Sequence, residues 1–263
     1  MPAYRFFQKP QQAKGRCHGI LSALLLLLWQ LSDPVWATET EAEARKVYSG
    51  DSPAWLQLVG RLDVPGFKYK EGRRVHHREN CTATLIGRDG AQQADHVVTA
   101  WHCLEFYRDL SMTITFSLPH HSASATVREA RKLVDGGGIT ADWAILRLTK
   151  PVPLLPSSAL LVDAGEIDKS EPLVMAGYSG DSGLGQSGEA LTYHENCRQV
   201  ERLRQSTHTD CQAYKGASGG PVVRYSESGA FYLAGVISQG NGEGTSTYIP
   251  ISRFRGMLNS YLY

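Results

Sequence analysis

Ser218 lies in a glycine-rich run, KGASGGP (215–221), that would suit a nucleophilic serine. Glycines on both sides let the backbone fold so that N–H groups converge on an anion. A serine hydroxyl becomes a nucleophile only when a nearby base takes its proton and a third group holds that base in the right tautomer. A turn serine without chemistry is the alternative, so the decision depends on where partner residues lie.

The chain order of histidine, aspartate and serine separates two kinds of serine hydrolase. In α/β-hydrolases the serine occupies a G-x-S-x-G elbow, which residues 216–220 would fit, and the histidine follows it. Here the last histidine, His208, precedes Ser218. Upstream, an apolar run leads into His102, and Asp142 opens the alternating run DWAILRL. The order His102, Asp142, Ser218 is that of the chymotrypsin fold.

Four motifs in this order resemble those of the trypsin-like (chymotrypsin-fold) serine proteases. TAWHC (99–103) resembles T-A-x-H-C, and DWAIL (142–146) resembles D-x-A-x-L. GASGGP (216–221) resembles G-x-S-G-G-P, and GVISQG (235–240) resembles the substrate-pairing strand G-x-x-S-W-G. The resemblance is to the bacterial branch that includes the glutamyl endopeptidases.

This resemblance implies a fold and a mechanism. The fold would be two six-stranded antiparallel β-barrels with the active site in the cleft between them. His102 would act as general base, Asp142 would orient its imidazole, and Ser218 would form an acyl-enzyme with a protein or peptide substrate. The oxyanion hole would consist of the backbone N–H groups of Gly216 and Ser218. Such a protease needs no metal and no other cofactor.

The acid and the base each have a structural alternative. His102 could be a core or capping histidine beside a disulfide, but its neighbours match the family motif. Asp95 and Asp135 are rivals of Asp142, and Asp135 lies in LVDGGG, a sequence typical of a turn. The motifs therefore favour an intact triad of His102, Asp142 and Ser218.

The elements that must position these residues are mostly strands. Short apolar runs alternate with turn signals such as GRDGAQQ, DGGGIT and QGNGEG, without long helical patterns between them. This spacing favours an all-β barrel or sandwich. Predicted strands include WLQLVGRL, HVVTA, DWAILRL, ALTYHENCRQVERL and FYLAGVIS. One helix is predicted at the C-terminus, because apolar residues recur there at three- and four-residue intervals: Ile251, Phe254, Met257, Leu258, Tyr261 and Leu262.

Composition excludes several other classes of protein. The 263 residues are 42% hydrophobic and 20% charged with a net charge of +1, which is ordinary for a globular domain. Nothing in this balance favours nucleic acid as a partner. No C-x-x-C or H-x-x-H spacing indicates a metal site. We expect a monomer.

The N-terminus predicts export. Basic residues precede an apolar run at 20–31, and Val35-Trp36-Ala37 has the spacing of a signal-peptidase site. The apolar run is too short for the roughly 20 residues of a membrane span, so cleavage is favoured over an uncleaved anchor. We predict a signal peptide at 1–37, a flexible leader or short propeptide at 38–46, and a trypsin-like peptidase domain at 47–263. The protein would be secreted or periplasmic, without stable membrane anchoring after cleavage.

Four cysteines follow the predicted cleavage site, and they permit three pairings. The resemblance implies the disulfide Cys81–Cys103, which fastens the histidine turn to a neighbouring strand. That pair leaves Cys197–Cys211 as the second disulfide, which does not match the common mammalian arrangement.

The sequence departs from the family at the residue before the serine and in the specificity pocket. Many animal members have an aspartate before the serine that pairs with a new α-ammonium after activation, but Ala217 makes no ion pair. Val47 is a candidate for such a new N-terminus. The substrate-binding residues implied by the resemblance are Gln212, Ser238, Gln239 and Gly240.

The pocket is predicted to be polar, with its preferred side chain open. Gln212, six residues before Ser218, supplies no acidic floor for lysine or arginine. Ile237 stands where glutamyl endopeptidases have a histidine, and Glu243 could reach the pocket, although a solvated loop acid is the alternative. Two rival functions follow: a catalytically silent homologue that binds another protein, and a secreted esterase on the same fold.

Overall fold

The computed structural model describes residues 43–119, 126–155, 160–163, 165, 167–226 and 229–263. The predicted signal peptide and residues 38–42 of the predicted leader lie outside these residues. Residues 43–46, the rest of the predicted leader, are described and contact the second sheet. Within the described ranges, no helix has the length and apolarity needed to cross a membrane.

Fifteen strands and one α-helix account for most of the described chain. The strands are β1 (Lys46–Val47), β2 (Val59–Lys70), β3 (Arg73–Ile86), β4 (Gln93–Thr99), β5 (Ile114–Leu118), β6 (Thr126–Asp135), β7 (Ala144–Pro153), β8 (Leu161–Val162), β9 (Leu173–Gly177), β10 (Thr192–Cys197), β11 (Gln199–Arg202), β12 (Thr207–Thr209), β13 (Pro221–Tyr225), β14 (Phe231–Gly240) and β15 (Ser246–Pro250). The helix is α1 (Arg255–Leu262).

The first sheet is a closed six-stranded barrel in the order β2-β3-β4-β7-β6-β5, with every neighbouring pair antiparallel. Side chains that alternate between buried and half-exposed, as in β5, place one face of each strand in the interior. β2 and β3 continue beyond the barrel as a long hairpin. Its two-residue turn, Glu71 and Gly72, has φ angles of 53° and 75°, which suit a tight hairpin.

The second sheet has nine strands in the order β1-β10-β9-β13-β14-β15-β12-β11, and β8 pairs in parallel with β14. It curves as a half-barrel beside the first barrel. The structure therefore confirms the predicted all-β, chymotrypsin-like class with a C-terminal helix. Unlike the six-stranded closed barrel expected, the second sheet stays open and gains the short strands β1 and β8.

The C-terminal helix is shorter than its apolar repeat predicted. Residues Ile251–Arg253 form a 3-10 turn, and α1 begins only at Arg255. The buried side of this region carries Ile251, Phe254, Leu258 and Leu262, whereas Met257 and Tyr261 stay partly exposed at its edge. Phe254 stacks on Trp143, with ring centroids 5.3 Å apart, so the segment packs directly behind Asp142.

Two strand predictions were wrong in part. The first half of WLQLVGRL is a 3-10 helix, Ala54–Leu58, because a short buried apolar run has no periodicity that separates strand from helix. The run ALTYHENCRQVERL breaks into β10 and β11. Asn196 has a φ of 61° at the irregularity, and the next residues turn where Cys197 is bonded to Cys211.

Both disulfides are formed between the cysteines that were paired in the sequence analysis. Cys81–Cys103 closes a separation of 22 residues, and Cys197–Cys211 closes one of 14 residues. The first joins β3 to the turn that carries His102. The second joins the end of β10 to the segment that precedes Ser218.

Removing the first disulfide tests its contribution to stability. We expect the double variant Cys81→Ala/Cys103→Ala to lose about 3 kcal/mol of unfolding free energy, because a loop of this length is no longer closed in the unfolded chain. Urea denaturation of the purified, oxidised protein measures this loss. The matched variant Cys197→Ala/Cys211→Ala should lose a similar amount, and an unchanged midpoint in either would contradict the expectation.

Candidate active site

His102 and Asp142 meet at the rim of the first barrel. After β4 the chain turns through a 3-10 helix, Trp101–Leu104, that holds His102, and Asp142 lies two residues before the start of β7. His102 Nδ1 lies 2.8 Å from Asp142 Oδ2, and the backbone N–H of His102 donates to Oδ1 at 2.8 Å. Because a carboxylate only accepts, Nδ1 carries the proton and Nε2 is left as the basic nitrogen.

The carboxylate of Asp142 is fully buried, so its charge must be compensated inside the protein. A third donor completes this compensation: Ser238 Oγ donates to Asp142 Oδ2 at 2.5 Å. Ser238 lies in β14 of the second sheet, so donors from both sheets converge on one carboxylate. The sequence analysis placed Ser238 among the substrate-binding residues, but its hydroxyl points at Asp142.

Ser218 lies in the loop before β13, and it joins this network through Ser238. Its Oγ donates to the carbonyl oxygen of Ser238 at 3.3 Å. Its own carbonyl oxygen is 3.8 Å from the sulfur of Cys103, the neighbour of His102. Among the described residues, no hydrogen bond joins Ser218 Oγ to His102. The structure thus brings the three predicted residues to one place, with the serine hydroxyl turned toward β14.

The loop around Ser218 leaves two backbone donors unused. The N–H of Ala217 donates to Tyr214 O at 3.0 Å, and that of Gly219 donates to Ile237 O at 2.8 Å. In the described part of the chain, the N–H groups of Gly216 and Ser218 donate to no protein acceptor. These two are the groups that the sequence analysis assigned to the oxyanion hole, and they remain available to an external acceptor.

Thr82, which the sequence analysis missed, fastens this loop to the first barrel. The backbone N–H of Thr82 donates to Ser218 O at 2.8 Å, and its hydroxyl donates to Gly216 O at 2.8 Å. The hydroxyl also accepts from Tyr178 N at 2.9 Å, and Thr82 is fully buried. The only available signal was its place beside Cys81, which does not by itself indicate a role.

Gly219 is required by this close approach of the two sheets. Its φ is +84°, and a Cβ there would lie 2.1 Å from the hydroxyl oxygen of Thr99 and 2.2 Å from the carbonyl oxygen of Thr82. Gly216 is constrained in a similar way, with a φ of +98° and Tyr178 O only 2.5 Å from a Cβ. The glycine-rich motif therefore reflects the packing of the loop against β3 and β4.

The predicted pocket residues lie on two facing segments. Gln212 is buried, and its Oε1 accepts from the backbone N–H of Ala44 at 2.9 Å. Gln239 and Gly240 are exposed at the end of β14. A Cβ on Gly240 would lie 2.1 Å from Ala213 O, so β14 runs directly against the segment that holds Gln212.

The other acids considered in the sequence analysis have different partners. Asp135 accepts from Gly137 N at 2.9 Å and from Lys132 Nζ at 2.8 Å, as a turn residue would. Asp95 pairs with Arg147 at 2.8 Å. Glu243 is exposed in the loop after β14. None of these contacts involves His102.

A cleft of about 220 Å³ opens beside Gly216. It is lined by residues of both sheets and the loops between them, among them Arg61, Asn80, Tyr178, Lys215 and Gly216. Burial raises the pKa of Tyr178 to about 12, so its hydroxyl is neutral in this cleft.

One group of potential metal ligands occurs in the described residues: Cys81, His102 and Cys103. The two sulfurs are bonded to each other in a disulfide, so neither is a thiolate that could coordinate an ion. The donor set does not fit a metal site.

Comparisons with known proteins match the part of the chain that carries these residues. The family model of the trypsin-like peptidase domain matches residues 81–231, which include His102, Asp142 and Ser218. The chain is also similar to transmembrane protease serine 9 of Rattus norvegicus, with 27% identity over 251 residues. That match covers 80% of this chain but only 23% of the rat protein, so the chain spans about a quarter of the length of its relative.

Gly219→Ala tests the close approach of the two sheets. We expect it to cost about 3 kcal/mol of unfolding free energy, because the added methyl group meets backbone and a positive φ strains alanine. Denaturant titration measures the cost. Gly256→Ala is the matched control, because nothing lies within 4 Å of a Cβ added at this position. Since Gly256 lies in α1, alanine there should raise the free energy of unfolding by about 0.5 to 1 kcal/mol. Equal stability of the two variants would contradict the expectation.

Proposed function

Because the chain belongs to the trypsin-like peptidase domain family, we propose that it is a serine endopeptidase that hydrolyses peptide bonds through an acyl-enzyme. The observation that carries the proposal is the buried carboxylate of Asp142, held between His102 and Ser238. In this proposal Nε2 of His102 is the base, and the proposal is supported by the hydroxyl of Ser218, which contacts Ser238, the residue that donates to Asp142.

The reaction begins with a rotation of the Ser218 side chain. Its hydroxyl leaves the carbonyl oxygen of Ser238 and turns toward His102 Nε2, a movement consistent with the looser hydrogen bonds of substrate-free proteases. His102 takes the hydroxyl proton as Oγ attacks the peptide carbonyl carbon. The negative charge that develops on the carbonyl oxygen is bound by the N–H groups of Gly216 and Ser218.

The tetrahedral intermediate then collapses. The C–N bond breaks, the proton on His102 passes to the leaving amine, and an ester links the acyl group to Ser218. Water attacks this ester by the same route in reverse and releases the acid. Throughout, Asp142 keeps the imidazole in one tautomer and stabilises its cation without taking up the proton.

Substrate choice in this proposal follows from an uncharged pocket. Gln212 offers amide groups in place of a carboxylate, so the pocket lacks the charge that would select lysine or arginine. A protease fold implies protein or peptide substrates. The finer assignment to the bacterial branch near the glutamyl endopeptidases stays a prediction, and Ile237 gives no support to an acidic preference.

We also propose that the protein works outside the cytoplasm. Its two disulfides are consistent with an extracellular location, since such bonds persist in oxidising compartments. The signal peptide at 1–37, its removal and the monomeric state belong to this proposal.

A fluorophosphonate probe combined with a peptide library tests the function. We expect the exported protein to be labelled at Ser218 and to cleave peptides, because only an activated hydroxyl attacks the probe. Ser218→Ala should abolish both signals, while the exposed Ser111→Ala should keep both. Folded protein that resists labelling would favour a silent binding homologue, and labelling with cleavage of esters alone would favour an esterase.

Asp142→Asn tests the role of the buried carboxylate. We expect kcat to fall about 10⁴-fold with little change in KM, because an amide no longer fixes the tautomer of His102. Steady-state kinetics on the best library peptide measures the loss. Asp135→Asn, at the rival aspartate, should keep normal kinetics. A loss at Asp135 with normal activity in Asp142→Asn would reverse the assignment.

A further inference from the structure

Residues 43–48 lie along the edge of the second sheet, and we refer to them as the N-terminal strap. Their strand, β1, pairs antiparallel with β10. The N–H of Ala44 donates to Gln212 Oε1 at 2.9 Å, and that of Tyr48 donates to Leu191 O at 2.9 Å. The strap is thus joined to the segment that leads into the Ser218 loop.

Arg45 is the buried residue of the strap. Its side chain is only 2% exposed, although arginine is among the residues least often buried. Its guanidinium forms a bidentate pair with Asp181, at 2.7 and 3.0 Å, and a second with Glu43, at 2.8 and 2.6 Å. The carbon of the guanidinium lies 4.1 Å from the centre of the Tyr214 ring. The planar guanidinium donates bidentate hydrogen bonds at its edges and stacks its face on the Tyr214 ring. The ammonium group of lysine cannot make both kinds of contact.

The contacts keep both partners charged. Burial alone would lower the pKa of Arg45, but the hydrogen bonds to Glu43 and Asp181 outweigh burial and raise it. The hydrogen bond from Arg45 holds the pKa of the Asp181 carboxyl below its ordinary value, against the opposing effect of burial. Removing the cation would leave a largely buried carboxylate without its partner, which is costly.

Asp181 and Tyr214 flank the segment that carries the oxyanion donors. Gly180, beside Asp181, donates its N–H to Lys215 O at 2.6 Å. Tyr214 O accepts the N–H of Ala217 at 3.0 Å. We call residues 214–218 the oxyanion loop. The guanidinium of Arg45 therefore contacts Tyr214 inside this loop and Asp181, the chain neighbour of the Gly180 that bonds to it.

Asp181 also organises its own loop. Its Oδ2 accepts from Gly185 N at 3.1 Å, and its carbonyl oxygen accepts from Ser187 N at 2.7 Å. Ala217, by contrast, is buried and uncharged, so no ion pair fixes the residue directly before Ser218. A charged contact to the oxyanion loop is supplied by the strap, where the guanidinium of Arg45 lies over the ring of Tyr214.

We propose that Arg45 is a positioning residue that holds the oxyanion loop in its working conformation, and that the active protein retains residues 43–46. The inference rests on the proposed protease function, because the loop it positions is the one that would bind the oxyanion. The cation is part of the intact strap, so no cut at Val47 is needed to deliver a positive charge. A cut there would instead separate Arg45 from the domain.

Arg45→Gln in the exported protein tests this role by two independent measurements. Hydrogen exchange followed by mass spectrometry should show faster exchange, by about tenfold or more, at the amides of Gly180 and Ala217, because local opening becomes easier. On a library peptide, kcat should fall by about 10- to 100-fold with a small change in KM, since a displaced oxyanion donor costs up to 10²–10³. Lys46→Gln, at the exposed neighbour, should match the wild type in both.

Two further variants keep the inference open to disproof. Arg45→Lys should recover part of the kcat and part of the protection from hydrogen exchange, because lysine restores the positive charge without the bidentate hydrogen bonds of a guanidinium. Asp181→Asn breaks the same ion pair from the other side and replaces Arg45→Gln if that variant does not fold. Wild-type exchange and wild-type kcat in Arg45→Gln or in Asp181→Asn would overturn the proposal. A fully active protein whose N-terminus is Val47 would overturn it as well.

The exchange measurement separates this inference from the proposed function. If the wild type cleaves no peptide, the protease proposal fails. The comparison of Arg45→Gln with Lys46→Gln still shows whether Arg45 holds the oxyanion loop. If the wild type cleaves peptides and exchange is unaltered in Arg45→Gln, only the positioning role fails.

Discussion

The buried charge of Asp142 is the constraint on which the arrangement of the two sheets depends. A carboxylate without exposure to water is tolerated only when donors surround it, and no single sheet supplies them here. His102 comes from the first barrel and Ser238 from the second. The two sheets must therefore meet at this point to compensate the charge. The same contacts fix the position of the His102 imidazole, so the groups that compensate the buried charge are those that the proposed mechanism would use.

The contact between the two sheets, which we call the seam, is formed by backbone groups as much as by side chains. Thr82 donates from both its backbone and its hydroxyl to the loop that holds Ser218. Such contact is feasible only if the loop has no side chain at Gly219, where a Cβ would overlap Thr99. The glycines that suggested a nucleophilic serine are thus explained in part by packing. Within the part of the chain that the structure describes, the N–H groups of Gly216 and Ser218 donate to no protein acceptor, which is the property that catalysis would use.

The all-β class, the cysteine pairs and the meeting of His102 with Asp142 could be predicted because each depends on local motifs in a fixed chain order. The role of Thr82 could not, since a threonine in a strand carries no sign of what lies across the seam. The open second sheet and the break after Cys197 were also not predicted. Hydrophobic periodicity indicates which face of a strand is buried, but it does not indicate where the pairing of that strand ends. The burial of Arg45 was not predicted for a related reason. A charged segment near a predicted cleavage site has the composition of a solvated leader, and the burial of Arg45 follows only from long-range contacts.

A buried ion pair is weak evidence for stability, but it fixes the relative position of its two residues. Only a pair with nearly ideal geometry offsets the cost of removing both charges from water. In the described residues, Arg45 and Asp181 form one such pair, and Arg224 and Asp163 form another at 2.5 and 2.8 Å. Arg224 lies on β13, the strand that follows Ser218, and Asp163 directly follows β8 in the second sheet. The Ser218 segment is therefore preceded in the chain by Tyr214, whose ring contacts Arg45, and followed by Arg224, which pairs with Asp163. In the proposed mechanism this loop presents two N–H groups to an oxyanion, and directional contacts fix such a geometry more closely than apolar packing, which tolerates small displacements.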